Sequence, residues 1–110
     1  MSTQRTHELE LHLAQDIGGY LADGARAAEY RQGKVETNYD AQGTIVFNFA
    51  GVHGMNSSFA NALIVPLLAL HGAEALKKIR FRHCNPNVKV MIESALTLGV
   101  EALRDEQVCA

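Results

Sequence analysis

An α/β fold, with elements alternating as β-α-β-α-β-α and helices packed against a small, mainly parallel or mixed sheet, is predicted by three features of the chain. Leu9, Leu11 and Leu13 alternate with Glu8, Glu10 and His12, and a period of two gives one wet and one buried face, as in a short strand at a sheet edge. Residues 44–49 are β-branched or aromatic and almost uninterrupted in their apolarity, which marks a central strand. Val88, Met91, Ile92, Ala95 and Leu96 recur at helical spacing, the cleanest such stripe in the sequence.

The remaining elements fall between these. Gly18 and Gly19 break the first strand, Asp23 offers a helix cap, and a helix is predicted over 24–40, with Ala28, Val35 and Tyr39 on one face despite Gly33. Turn chemistry at Asp40, Ala41, Gln42 and Gly43 leads into the central strand. After it Gly51, Gly54 and Asn56 loosen the backbone, and a helix opens at Ser57 or Ser58, stopping or bending at Gly72. A helical turn over 73–78 precedes a third strand over 79–84. Asn85 caps the last helix, Pro86 takes its first turn, and Gly99 is expected to close it. One domain over residues 1–110 is expected, with disordered ends at roughly 1–6 and 105–110.

A net charge of −2, from 10 basic and 12 acidic side chains, gives no field that would gather nucleic acid or an anionic membrane. The first residues lack the apolar core of a signal peptide. The longest apolar stretch, 62–70, is broken by Pro66 and falls short of the roughly 20 residues of a spanning helix. A soluble, cytoplasmic protein is expected, with Cys84 and Cys109 as free thiols.

Catalytic signatures are sparse. The chain has neither a Gly-rich turn ending in Gly-Lys-Ser/Thr nor a Gly-x-Gly-x-x-Gly turn after its first strand, so P-loop and dinucleotide enzymes are excluded. His53 stands four positions before Ser57, but no orienting carboxylate can be named for acyl transfer. His7, His12, His53, His71 and His83 have no metal-ligand spacing, and no metal or cofactor is expected.

The turn after the central strand is the informative place. Met55, Asn56, Ser57 and Ser58 leave the carboxyl end of that strand and open a helix, whose free N–H groups and positive dipole end favour an anion. Asn56, Ser57 and Ser58 are all also good N-caps, and one of them must fill that structural role. On the helix that follows, Phe59, Leu63, Leu67 and Leu70 form one face. Ile64, Val65 and Leu68 populate the other, beside Asn61, so a partner, a second copy or a neighbouring helix must cover it. Pro66 is expected to kink this helix or free a carbonyl near Ala62.

The run Ile45, Val46, Phe47, Asn48, Phe49 followed by Asn56, Ser57, Ser58, Phe59 resembles the STAS-like domains, relatives of the anti-sigma factor antagonists. The resemblance covers roughly 44–98 and is nearest to the small branch carrying Ser-Ser-Phe where the antagonists carry Ser-Ser-Gly. It implies a STAS-like fold and a non-enzymatic regulatory module that docks a protein partner, such as a histidine-kinase-like ATPase or an anti-sigma factor. It also implies Ser57 as the phosphorylated serine whose modification blocks binding, Ser58 as the cap, and Asn56 in place of the family's acidic residue.

From the turn and the resemblance together, the expected contact residues are His53, Met55, Asn56, Ser57, Ser58, Asn61, Ile64 and Leu68. The alternative is a small-ligand domain holding an anion or nucleotide at the same helix start, with Arg26, Arg31 or Arg80 supplying charge.

Overall fold

The computed structural model describes residues 8–40 and 43–109, with side chains described as far as Leu103. The expectation for residues 1–6, and the turn residues Ala41 and Gln42, lie outside the described residues. In chain order the elements are β1 (Glu8–His12), α1 (Leu13–Asp16), β2 (Tyr20–Leu21), α2 (Gly24–Tyr30), β3 (Thr44–Asn48), β4 (Gly54–Met55), α3 (Ser57–His71), α4 (Ala75–Lys78), β5 (Ile79–Arg82) and α5 (Pro86–Cys109).

The sheet has the order β1-β3-β5 and is wholly parallel, with Leu11 opposite Phe47 and Phe47 opposite Phe81. The most apolar strand is central and the alternating one lies at an edge, as their sequences predict. β5 ends at Arg82 rather than at 84, because His83 turns into the left-handed region at φ 59°. A second parallel pair, β2 with β4, joins Tyr20 to Gly54 and Leu21 to Met55. Two-residue strands carry no periodicity, so nothing in the sequence predicts them.

Side chains alternate along each strand. Leu11, Ile45, Phe47 and Ile79 face the helices and join one core with Phe49, Phe59, Leu63 and Leu67. Glu8, Glu10 and His12 share the opposite face with Val46, Asn48 and Arg82. Arg82 reaches across β3 to Glu8 (3.3 Å) and Glu10 (3.7 Å), and the Asn48 amide, only 6% exposed, donates to Glu10 at 2.7 Å. That hydrogen bond above all holds the Glu10 carboxyl below its ordinary pKa.

The helix predicted over 24–40 is helical through Asn38 but not uniform. α2 passes into a π turn (Arg31–Val35) and then a 3₁₀ turn (Glu36–Asn38). The five-residue step between buried Tyr30 and buried Val35 is the signature of that wider turn.

α3 packs against both α2 and α5, so its two apolar faces are covered from within the domain. Ile64 and Leu68, expected on an outward face, are therefore fully buried, whereas Leu70, expected in the core stripe, is 66% exposed. The segment Ser57–Lys78 is long and apolar enough to cross a membrane by composition alone, further than residues 62–70 suggest. Its Phe59, Leu63, Ile64, Leu67 and Leu68 are buried in the domain, as in a core helix.

Pro66 lies inside α3 without ending it. Its missing N–H leaves the Ala62 carbonyl without a helical donor, and Arg31 Nε fills the place at 3.1 Å. Arg31 also pairs with Glu36 (3.5 Å), which meets His71 Nε2 at 2.7 Å; His71 in turn stacks on Tyr39 with ring centroids 3.5 Å apart.

α5 continues through Gly99 to Cys109, past the stop expected at Gly99. Gly99 is there for close approach. A Cβ at this position would run into Leu68 Cδ1, so α5 meets α3 where any larger residue requires the Leu68 side chain to shift.

Candidate functional site

The chain between β3 and α3 is held by three asparagines. Asn85 caps α5 by accepting from the Val88 N–H (2.9 Å), and its amide donates to the carbonyls of Val52 (3.1 Å) and His53 (3.0 Å). Asn87 Oδ1 accepts from the Met55 N–H at 2.9 Å. Asn56 accepts from the Phe59 N–H (2.9 Å), capping α3, while its amide donates to the Ala22 carbonyl (3.0 Å). The β2–β4 pair adds backbone bonds, His53 N–H to Gly19 O at 2.7 Å and Asn56 N–H to Leu21 O at 3.0 Å. Both ends of the loop are thus fixed, and α3 starts from a rigid position.

The cap is therefore Asn56, not Ser58. An Asx side chain one residue before the helix reaches the third N–H of the first turn, the standard capping geometry, and Ser58 is already inside the helix. Ser58 instead faces the start of α2, where a Cβ at Gly24 would lie 3.0 Å from its hydroxyl oxygen. Ser57 is exposed, and among the described residues its hydroxyl makes no hydrogen bond.

The residues singled out in the sequence divide sharply by burial. His53, Asn56, Ser57 and Ser58 are exposed and Asn61 is half-buried, whereas Met55, Ile64 and Leu68 belong to the core and present no surface to a partner. His53 lies beside Tyr20, ring centroids 5.9 Å apart, and makes no hydrogen bond to Ser57.

Ser57 and Asn61 form one wall of an open groove of about 440 Å³, whose other wall is the outer face of α5 at Val90, Glu93, Ser94 and Leu98. Val90 is 55% and Leu98 47% exposed, so two apolar side chains stand in solvent beside Ser57. Sequence reasoning missed this wall because the stripe of α5 that draws attention, Val88, Ile92 and Ala95, is the one that packs inward. The signal was present as Val90 and Leu98 lying off that stripe.

The three arginines considered for an anion are engaged elsewhere. Arg26 donates to the Asp16 carbonyl (3.5 Å), Arg31 to that of Ala62, and Arg80 to those of Lys77 (3.2 Å) and Ile79 (3.0 Å). No three His, Cys, Asp or Glu side chains among the described residues come together as a metal site. Cys84 is a free, half-buried thiol whose pKa is raised by burial. It borders a separate apolar recess with Phe81, Ile92 and Leu96.

Comparison with curated proteins and with solved structures yields no match. Comparison with protein families yields one: the model of the STAS-like domain of unknown function (DUF4325) matches residues 32–89, more than half of the 110-residue chain and including β3, the capped turn, α3 and β5.

Proposed function

We propose, on the premise that the chain belongs to the family of STAS-like domains of unknown function, that it is a non-enzymatic regulatory module which docks a protein partner beside the start of α3 and is switched by phosphorylation of Ser57. The observation that carries this reading is the state of Ser57. Asn56 does the capping, so the Ser57 hydroxyl is left exposed and without a hydrogen bond among the described residues, at the mouth of a groove with exposed Val90 and Leu98. Exposed apolar side chains rimmed by polar ones are the ordinary make-up of a protein-binding surface. A phosphate at the first residue of a helix is favoured by the helix dipole and places nearly two negative charges at the groove's edge.

The partner class follows from the resemblance to the anti-sigma factor antagonists, a histidine-kinase-like ATPase or an anti-sigma factor in the cytoplasm. The reading involves no metal or cofactor, and no nucleic-acid or membrane contact. Among the described residues no base or carboxylate is hydrogen-bonded to Ser57, which favours a modified serine over a nucleophilic one.

The test is intact mass spectrometry with peptide mapping of the protein from its native host, beside Ser57→Ala, together with recovery of bound partner by Ser57→Glu. One phosphate on Ser57 and altered recovery by Ser57→Glu are expected. A chain that carries no phosphate across growth phases and stresses, and a Ser57→Glu variant that recovers partner as the parent does, refute the proposal.

A further inference from the structure

We infer that the groove between α3 and α5 takes a basic amphipathic helix of the partner protein and that phosphate on Ser57 tightens its hold. The inference rests on the docking reading above and specifies the partner's chemistry and the sign of the switch.

The outer face of α5 carries two parallel ridges at i+4 spacing. One is Val90, Ser94, Leu98, with a small residue between two exposed apolar ones. The other is Glu93, Thr97, Glu101, with a small residue between two carboxylates. A notch between two bulky positions is what a ridge of another helix fills. The face from Val90 to Glu101 is about 16 Å long, three turns, and so fits a helix of about 12 residues.

Charge selects among helices. The groove is lined by two carboxylates and by no Lys or Arg, and among the described residues no cation forms an ion pair with Glu93 or Glu101. A second copy of the chain is the poorer occupant: a two-fold axis through Ser94 would set Leu98 against Val90 of the other copy but would bring the two Glu93 carboxylates together near the axis. A helix with Lys or Arg about two turns apart, flanking an apolar residue seated over Ser94, satisfies both ridges.

Ser57 lines the same groove, so its phosphate adds negative charge where the partner is positive, and an arginine can bond it bidentately. The switch then closes on phosphorylation, the reverse of the block implied by the resemblance.

The experiment is a display selection against the full chain with a library of 12-residue amphipathic helices whose flanking positions encode Lys, Arg, Glu or Gln. Enriched peptides should carry Lys or Arg at both flanks. They should bind Glu93→Lys/Glu101→Lys about tenfold more weakly than the parent, and Ser57→Glu about threefold more tightly. Their binding should weaken as salt rises from about 0.05 to about 0.5 M. Glu93→Gln/Glu101→Gln, with a smaller loss in the same direction, guards against a folding defect in the reversal variant.

Enrichment of neutral or acidic helices, no enrichment, or equal binding to the reversal variant overturns the inference. So does a dimer by sedimentation that Leu98→Asp dissolves. The two readings fail separately: an unphosphorylated Ser57 in the host removes the switch and leaves the basic helix standing, whereas a failed selection with phosphorylated Ser57 does the opposite.

Discussion

Arg31 and Pro66 form a pair that a double-mutant cycle can isolate. Pro66 removes the N–H that would have bonded the Ala62 carbonyl, and Arg31 Nε, on a side chain only 11% exposed, supplies the donor instead at 3.1 Å. A hydrogen bond from a charged donor contributes about 1.5–3 kcal/mol. The Ala62 residue is half-buried, so water can recover part of the loss, and Arg31→Leu should destabilise the domain by about 2 kcal/mol. That corresponds to a fall in Tm of about 8 °C for a domain of this size.

In a Pro66→Ala background residue 66 regains its N–H and the Ala62 carbonyl regains its helical partner. The same Arg31→Leu change should then cost about 1 kcal/mol, the remainder being the lost contact with Glu36. Urea unfolding of the four proteins yields the coupling energy directly. Equal losses in the two backgrounds, or a neutral Arg31→Leu beside Pro66, would show that the guanidinium does not stand in for the missing N–H.

Three further outcomes are expected. Asn56→Ala should cost about 1 kcal/mol through the lost cap, with Ser58→Ala near neutral; chemical denaturation that ranks them the other way returns the cap to Ser58. Gly99→Ala gains about 1 kcal/mol of helix propensity but drives a Cβ into Leu68 Cδ1, so a net loss is expected that Leu68→Ala partly relieves, whereas a stabilised Gly99→Ala would mean that α3 and α5 lie further apart. The depressed pKa of Glu10 makes its contribution to stability complete above the ordinary carboxylate pKa and lost as pH falls through the folded value; Asn48→Ala should raise that folded value in a carboxyl NMR titration, and an unchanged titration disproves the assigned cause.

Much of the architecture was legible because it rests on period and local chemistry. Leu9 and Leu11 alternate because β1 is an edge strand, residues 44–48 are apolar throughout because β3 is central, and Asn85 with Pro86 announces α5. What was illegible depends on neighbours. A helix apolar on two sides reads alike whether a partner or the rest of the chain covers it, and for Ile64 and Leu68 the rest of the chain does so. Gly99 carries the same ambiguity, since a terminator and a close contact call for the same residue. Asn56, Ser57 and Ser58 are equivalent as caps on paper, and only the position of the first helical turn assigns the role to Asn56 and leaves Ser57 free.

The π turn after α2 amounts to one residue more than an α-helix would use. Successive residues of an α-helix are about 100° apart, so the surplus rotates everything beyond it by about that angle, turning Glu36 and Tyr39 toward His71. Gly33 lies within this turn, exposed, with open space where a Cβ would stand. A STAS-like chain one residue shorter at this point would keep its strands and its capped α3 yet swing the carboxylate away from both Arg31 and His71. A single gap near position 33 in an alignment would therefore sort such chains into those that keep the carboxylate of residue 36 between Arg31 and His71 and those that lose it.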